Sequence, residues 1–128
     1  MKTIFIYLVL ISLFSVVGCK KDKCDDYFIV YGTVHSVSSP DTISTGKNTI
    51  IDVSYHTSNG CQSFESFEEV KDGYNWKINI NIENDPCDNF CFQAALPKST
   101  TYQFRTELAG TYILDFGKNG ILDTIIVQ

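Results

Sequence analysis

Residues 74–82 read YNWKININI, and every second residue is large and apolar. Tyr74, Trp76, Ile78, Ile80 and Ile82 fall on one face, Asn75, Lys77, Asn79 and Asn81 on the other. A β-strand alternates its side chains with a period of two, so this run makes a ribbon with one dry and one wet face. A helix, with a period of 3.6, would not gather these residues on one stripe. TYQFRTEL repeats the pattern, with Tyr102, Phe104 and Leu108 set against Gln103, Arg105 and Glu107. So does TIIDVSYH, with Ile51, Val53 and Tyr55 opposite Asp52, Ser54 and His56. Ribbons that are dry on one side must bury that side against another layer.

Turn signals separate the apolar runs. Pro40-Asp41, Gly46-Lys47-Asn48, Asn59-Gly60, Asp72-Gly73, Asp85-Pro86, Ala109-Gly110 and Lys118-Asn119-Gly120 all fall between them. Glycine supplies positive φ, and asparagine and aspartate tolerate it. The strands expected from these limits are 27–36, 48–56, 62–70, 74–82, 89–96, 101–108, 111–117 and 121–127. Short strands at such spacing point to an all-β fold, an antiparallel β-sandwich of about 7–8 strands. Within 62–70, Phe64, Phe67 and Val70 stand three apart, which also suits a short helix. Strand is the preferred assignment there. Residues 27–128 are expected to form this one domain.

Near its end the chain reads LAGTYILDF, residues 108–116. This resembles the entry to a late strand of immunoglobulin-like domains. The resemblance implies an immunoglobulin-like sandwich and gives Tyr112 a role, anchoring a corner by hydrogen-bonding back to the chain. GKNG followed by ILDTIIV would form a final hairpin. The antibody arrangement of two cysteines with a tryptophan between them is not matched, because neither Cys61 nor Cys87 lies in the strand that Tyr112 opens. Trp76, Phe104 and Tyr112 are assigned to core packing.

The amino end is of another kind. After Lys2, residues Ile4 to Val17 are apolar apart from two serines and a tyrosine, too short a run to span a bilayer comfortably. Its length suits the apolar region of a secretory signal. It ends in Val16-Val17-Gly18-Cys19, which resembles the lipobox of bacterial envelope lipoproteins. The resemblance implies a cleaved signal peptide over residues 1–18 and acyl chains, palmitate among them, on Cys19. The Cys19 thiol would be the nucleophile that takes the diacylglyceryl group, and Gly18 is small enough to expose the bond before it. Two or more acyl chains anchor a protein stably. Residues 19–26, with the charged run KKDKCDD, would be a tether of at most about 25 Å. The expected site is the cell envelope, lipid-anchored at the outer membrane, facing either the periplasm or the outside. Loss of Lys2 with the signal would take the net charge from −5 to −6, a balance unsuited to nucleic acid.

Cys24, Cys61, Cys87 and Cys91 remain after Cys19. An even number of cysteines in a small exported domain reads as two disulfides. On one extended strand Cys87 and Cys91 would stand about 13 Å apart, whereas a disulfide needs Cα atoms within about 7 Å. Cys61 is therefore expected to pair with Cys87 or Cys91, and Cys24 with the other.

Catalytic patterns do not emerge. The sequence has no G-x-S-x-G, no H-E-x-x-H and no phosphate-cradling glycine loop. Glu65, Glu68 and Glu69 read as a solvated edge that discourages strand pairing. Glu83, Asp85, Asp88 and Asn89 do not follow a calcium-loop pattern. His35 and His56 read as solvent-facing strand residues without a partner at metal spacing. No catalytic, cofactor or metal residue is assigned and no enzyme activity is expected. The expected role is an anchored interaction module that binds an envelope protein or a glycan. The alternative is a structural or assembly accessory of an outer-membrane complex, with a small hydrolase ranked well below.

Overall fold

The computed structural model describes residues 28–84 and 91–128. Nine strands are present among them: β1 Phe28–Tyr31, β2 Thr33–Ser38, β3 Thr42–Ile43, β4 Thr49–Thr57, β5 Gln62–Asp72, β6 Asn75–Asn84, β7 Leu96–Phe104, β8 Gly110–Phe116 and β9 Ile121–Val127. They form two sheets. The small sheet has the order β2-β4-β7, and the large one joins β1, β3, β5, β6, β8 and β9. Along one edge β6 pairs with β5 over its whole length. Its other edge is shared: β8 runs parallel to residues 75–78 and β1 antiparallel to residues 81–84. Beyond β8 come β9 and then the two-residue β3, which is parallel to β9.

The dry faces read from the sequence are the buried ones. Trp76, Ile78, Ile80 and Ile82 of β6 meet Ile51, Val53 and Tyr55 of β4, with Tyr102 and Phe104 of β7 and Tyr112, Leu114 and Phe116 of β8 completing the core. Trp76, Phe104 and Tyr112 are all buried, and their rings meet edge-on at 5.0–5.8 Å between centroids. Two residues of the expected dry faces lie elsewhere. Tyr74 sits in the turn before β6, and Leu108 lies beyond the end of β7, well exposed.

Residues 62–70 are strand, and the structure explains their helix-like spacing. The β5–β6 ladder steps from Phe64↔Ile82 to Ser66↔Asn81, so Glu65 is an extra residue. This bulge puts Phe64 and Phe67, three apart, on the same inward face. Val34 and Val37 of β2 are brought into phase in the same way, by a bulge at His35. Both bulged strands are sheet edges, where a bulge hinders pairing with another chain.

Three expected strands are corrected and one strand is added. The run 27–36 is two strands in different sheets, broken at Gly32. There the backbone donates to the Ile80 carbonyl at 2.8 Å, and an added Cβ would lie 2.7 Å from Ile82 Cγ1. Residues 91–95 are not strand. In that stretch Cys91 is held by a disulfide, and Phe92 accepts a hydrogen bond from Gly60 N–H at 2.8 Å. The strand expected at 101–108 runs instead from Leu96 to Phe104. It accommodates Pro97 because β7 is an edge. Finally, β3 follows directly on the Pro40-Asp41 turn and has no counterpart in the expected set.

The disulfide joins Cys61 to Cys91, with Cα atoms 5.2 Å apart. It staples the start of β5 to the approach to β7. Closing this 30-residue separation stabilises the fold by about 3–4 kcal/mol in the chain-entropy account. Cys19, Cys24 and Cys87 lie outside the described residues.

Candidate functional site: the outer face of the large sheet

The wet face of β6 is the spine of the candidate site. Asn75, Lys77, Asn79, Asn81 and Glu83 point away from the core because their neighbours point into it. Strand register sets what flanks each of them. Val70, Lys77, Asp115 and Leu122 form one row across β5, β6, β8 and β9. Asp72, Asn75, Ile113 and Thr124 form the next. All of these but Thr124, together with Trp76, line a shallow depression of about 330 Å³. Its rim is apolar: Val70 is 57% exposed, Leu122 67% and Ile113 41%, with Ile126 further along β9 at 43%. Asp115 brings a second property, since its Oδ1 is buried there without a hydrogen-bond partner.

At the other end of β6 a second depression, of about 540 Å³, is lined by Ile29, Tyr31, Glu68, Asn81 and Lys118. Three of its polar side chains already hold hydrogen bonds within the domain. The Tyr31 hydroxyl donates to Glu68 Oε2 at 2.8 Å, and Asn81 Nδ2 donates to Ser66 Oγ at 3.1 Å. The hydrogen bond to Glu68 and that residue's negative charge push the Tyr31 phenol above its ordinary range. Just beyond, Ser63 donates to Glu83 Oε1 at 2.7 Å.

The acidic cluster expected on β5 is dispersed by the bulge. Glu65 occupies the bulge, Glu68 faces outward to Tyr31, and Glu69 turns to the inner edge. There Glu69 accepts the Tyr102 hydroxyl at 2.7 Å and pairs with Lys71 Nζ at 2.7 Å. Lys71 in turn lies 4.1 Å over the Trp76 ring. Burial pushes the Tyr102 phenol far up, and its bond to Glu69 and that charge push it further. Burial works against the charge of Glu69, but Lys71 and Tyr102 outweigh it and hold the carboxyl below its ordinary range. This contact ties the edge of one sheet to the edge of the other. Glu68 and Glu69 therefore do not face a common cleft.

Among the described residues no group of three or more His, Cys, Asp or Glu could hold a metal ion. Of the oxygen-bearing residues in the 83–89 stretch, Glu83 is near the end of β6, and Asp85, Asp88 and Asn89 lie outside the described residues. The two histidines are strand residues on an outer face, as expected, but the β2–β4 pairing makes them neighbours. They are brought together on the opposite outer face, that of the small sheet, with ring centroids 4.9 Å apart.

The apolar rim was not read from the sequence, although a signal for it exists. Ile113 breaks the alternation of β8 by standing between Tyr112 and Leu114, and Ile126 does the same between Ile125 and Val127. An unbroken apolar run marks a strand with both faces dry. Here one of those faces is open to solvent.

Two facing sheets with a shared aromatic and aliphatic core define a β-sandwich domain. Residues 51–127 match the family model of the ORF11 beta-sandwich domain, which is more than half of the chain, and the chain belongs to that family. The matched span runs from β4 to the end of β9. No curated protein and no solved structure matches the chain.

Proposed function

We propose that this protein is a lipid-anchored interaction module of the bacterial envelope, held at the outer membrane through acyl chains on Cys19. It engages a protein partner with the outer face of its large sheet. The carrying observation is the apolar rim of Val70, Ile113 and Leu122 around the Lys77–Asp115 row. Apolar side chains grouped beside charged ones are the usual make-up of a protein-binding surface.

The path of the chain supports this reading. Phe28 pairs with Asn84, at the end of β6 where the tether would join the domain. The apolar depression surrounds Asn75 and Lys77, at the other end of that strand. Some seven to nine residues of extended chain put these ends about 25–30 Å apart. A domain standing on its tether would thus present the depression away from the lipid. No helix among the described residues is long and apolar enough to cross a membrane, and the anchor is assigned to the lipobox alone.

A glycan partner is less favoured, because Tyr31, Glu68 and Asn81 already hold hydrogen bonds within the domain. A permanent place as an accessory subunit would use the same apolar face and differs only in persistence. No catalytic residue is assigned.

Two measurements test the reading. Labelled palmitate should enter the wild-type chain and not Cys19→Ser, which should also leave the membrane fraction. The double variant Ile113→Asp, Leu122→Asp should lose at least ten-fold of the co-isolated partner, while Gln103→Asp on the opposite face keeps it. Equal recovery by both variants would contradict the assigned face.

A further inference from the structure

The outer face of the small sheet carries the only two histidines of the chain. β2 and β4 are antiparallel, with Thr33 opposite His56, Val34 opposite Tyr55 and Ser36 opposite Ser54. Val34 and Tyr55 point into the core, so His56 points out. His35 is the residue the ladder skips, and the bulge places it on that same outer side, between the positions facing His56 and Ser54. His35 is exposed and His56 half-buried. Their rings are inclined at 54°, with centroids 4.9 Å apart. The two residues come from separate strands, and the pairing is made entirely by strand register.

That separation has a chemical meaning. A first-row metal bound to an imidazole nitrogen at about 2.0–2.1 Å lies about 3.2 Å from the ring centre. Two rings bound to one ion at angles between about 90° and 109° then have centres about 4.5–5.2 Å apart. The observed spacing falls inside this interval. His56 is carried by the central strand of its sheet and His35 by a bulge in the adjacent strand, so the two backbones are held side by side before any ion binds. The neighbouring side chains on this face are the hydroxyls of Thr33, Ser36, Ser54 and Ser99, with Pro97 opposite His56 on β7. Asp52, the nearest carboxylate along β4, is four residues from His56, about 13 Å along the strand.

We propose that His35 and His56 form a two-imidazole surface site for a late first-row divalent cation. The other coordination positions are open to water or to a ligand from elsewhere. Imidazole donors favour nickel, copper and zinc, and disfavour calcium and magnesium, which take oxygen ligands. The site is on the opposite side of the domain from the proposed protein-binding face and does not depend on it.

The test is a nickel titration of the full-length chain in detergent, followed by calorimetry and by the histidine ring signals in NMR. Only two such ring systems exist, so each is assigned by substitution. One equivalent of Ni²⁺ should broaden both together. His35→Gln or His56→Gln should each weaken binding at least ten-fold, while Ser54→Ala and a calcium titration serve as controls without effect. Both histidines are on the surface, and thermal melts should show the variants folded. The proposal is overturned if wild type shows no nickel binding, if one ring broadens without the other, or if the double histidine variant binds as tightly as wild type, as it would were the thiols the ligands.

Discussion

Tyr112 shows how one hydroxyl can fix a turn. Its ring is buried against Trp76 and Phe104, while its OH donates to the Leu108 carbonyl at 3.0 Å and contacts Thr106 Oγ1 at 2.7 Å. Replacing it by phenylalanine keeps the packing and leaves that carbonyl without its partner. Tyr112→Phe should therefore destabilise the domain by about 1–2 kcal/mol in urea unfolding, with an unchanged m-value. Glu69 makes a different prediction, because its carboxyl is held below its ordinary range. Its ionised form then contributes stability above the unfolded carboxylate pKa, and this is lost as pH falls through the folded value. Glu69 is partly open to solvent, so the contribution is about 1 kcal/mol. Glu69→Gln should cost that much near pH 7 and little or nothing near pH 3, measured by thermal unfolding across pH. The role of Tyr112 was legible in the sequence because its partners are four and six residues away. The Glu69–Tyr102 contact was not, because it joins residues 33 apart through the facing of two sheets.

At the scale of elements, alternation identified β4 and β6 because each is a regular strand with one face in the core. It blurred at β5 and β2, where Glu65 and His35 add a residue and convert a period of two into a local spacing of three. A bulge is set by pairing with a neighbour, so a single run of residues shows only its consequence. Turn glycines were legible, but not what surrounds them. Gly73 has φ +56° and open space where a Cβ would stand, so Gly73→Ala meets only the backbone penalty, about 1 kcal/mol. Gly117 has φ +72°, and a Cβ there would stand 2.7 Å from Val34 Cγ2. Its N–H also donates to the Ile78 carbonyl at 2.8 Å, tying the hairpin to β6. Gly117→Ala should cost about 2–4 kcal/mol, since overpacking adds to the backbone penalty. Melting both variants side by side checks the ordering.

For the whole molecule, the two outer faces differ in chemistry. The small sheet shows hydroxyls, Gln103, the histidine pair and one exposed isoleucine, Ile50, while the large sheet groups Val70, Ile113 and Leu122 into a rim. The sandwich itself was legible because burial is a property of each strand's own alternation. Which strands lie side by side is not, and the rim exists only because β8 runs parallel to β6 and sets Ile113 beside Asn75. Site-specific photo-crosslinking in intact cells tests the functional account most directly. A photoreactive residue at Leu122 should give a discrete protein adduct, and the same residue at Gln103 should give none. Adducts of equal yield at both positions, or at Gln103 alone, would contradict the assignment of the large sheet as the binding face.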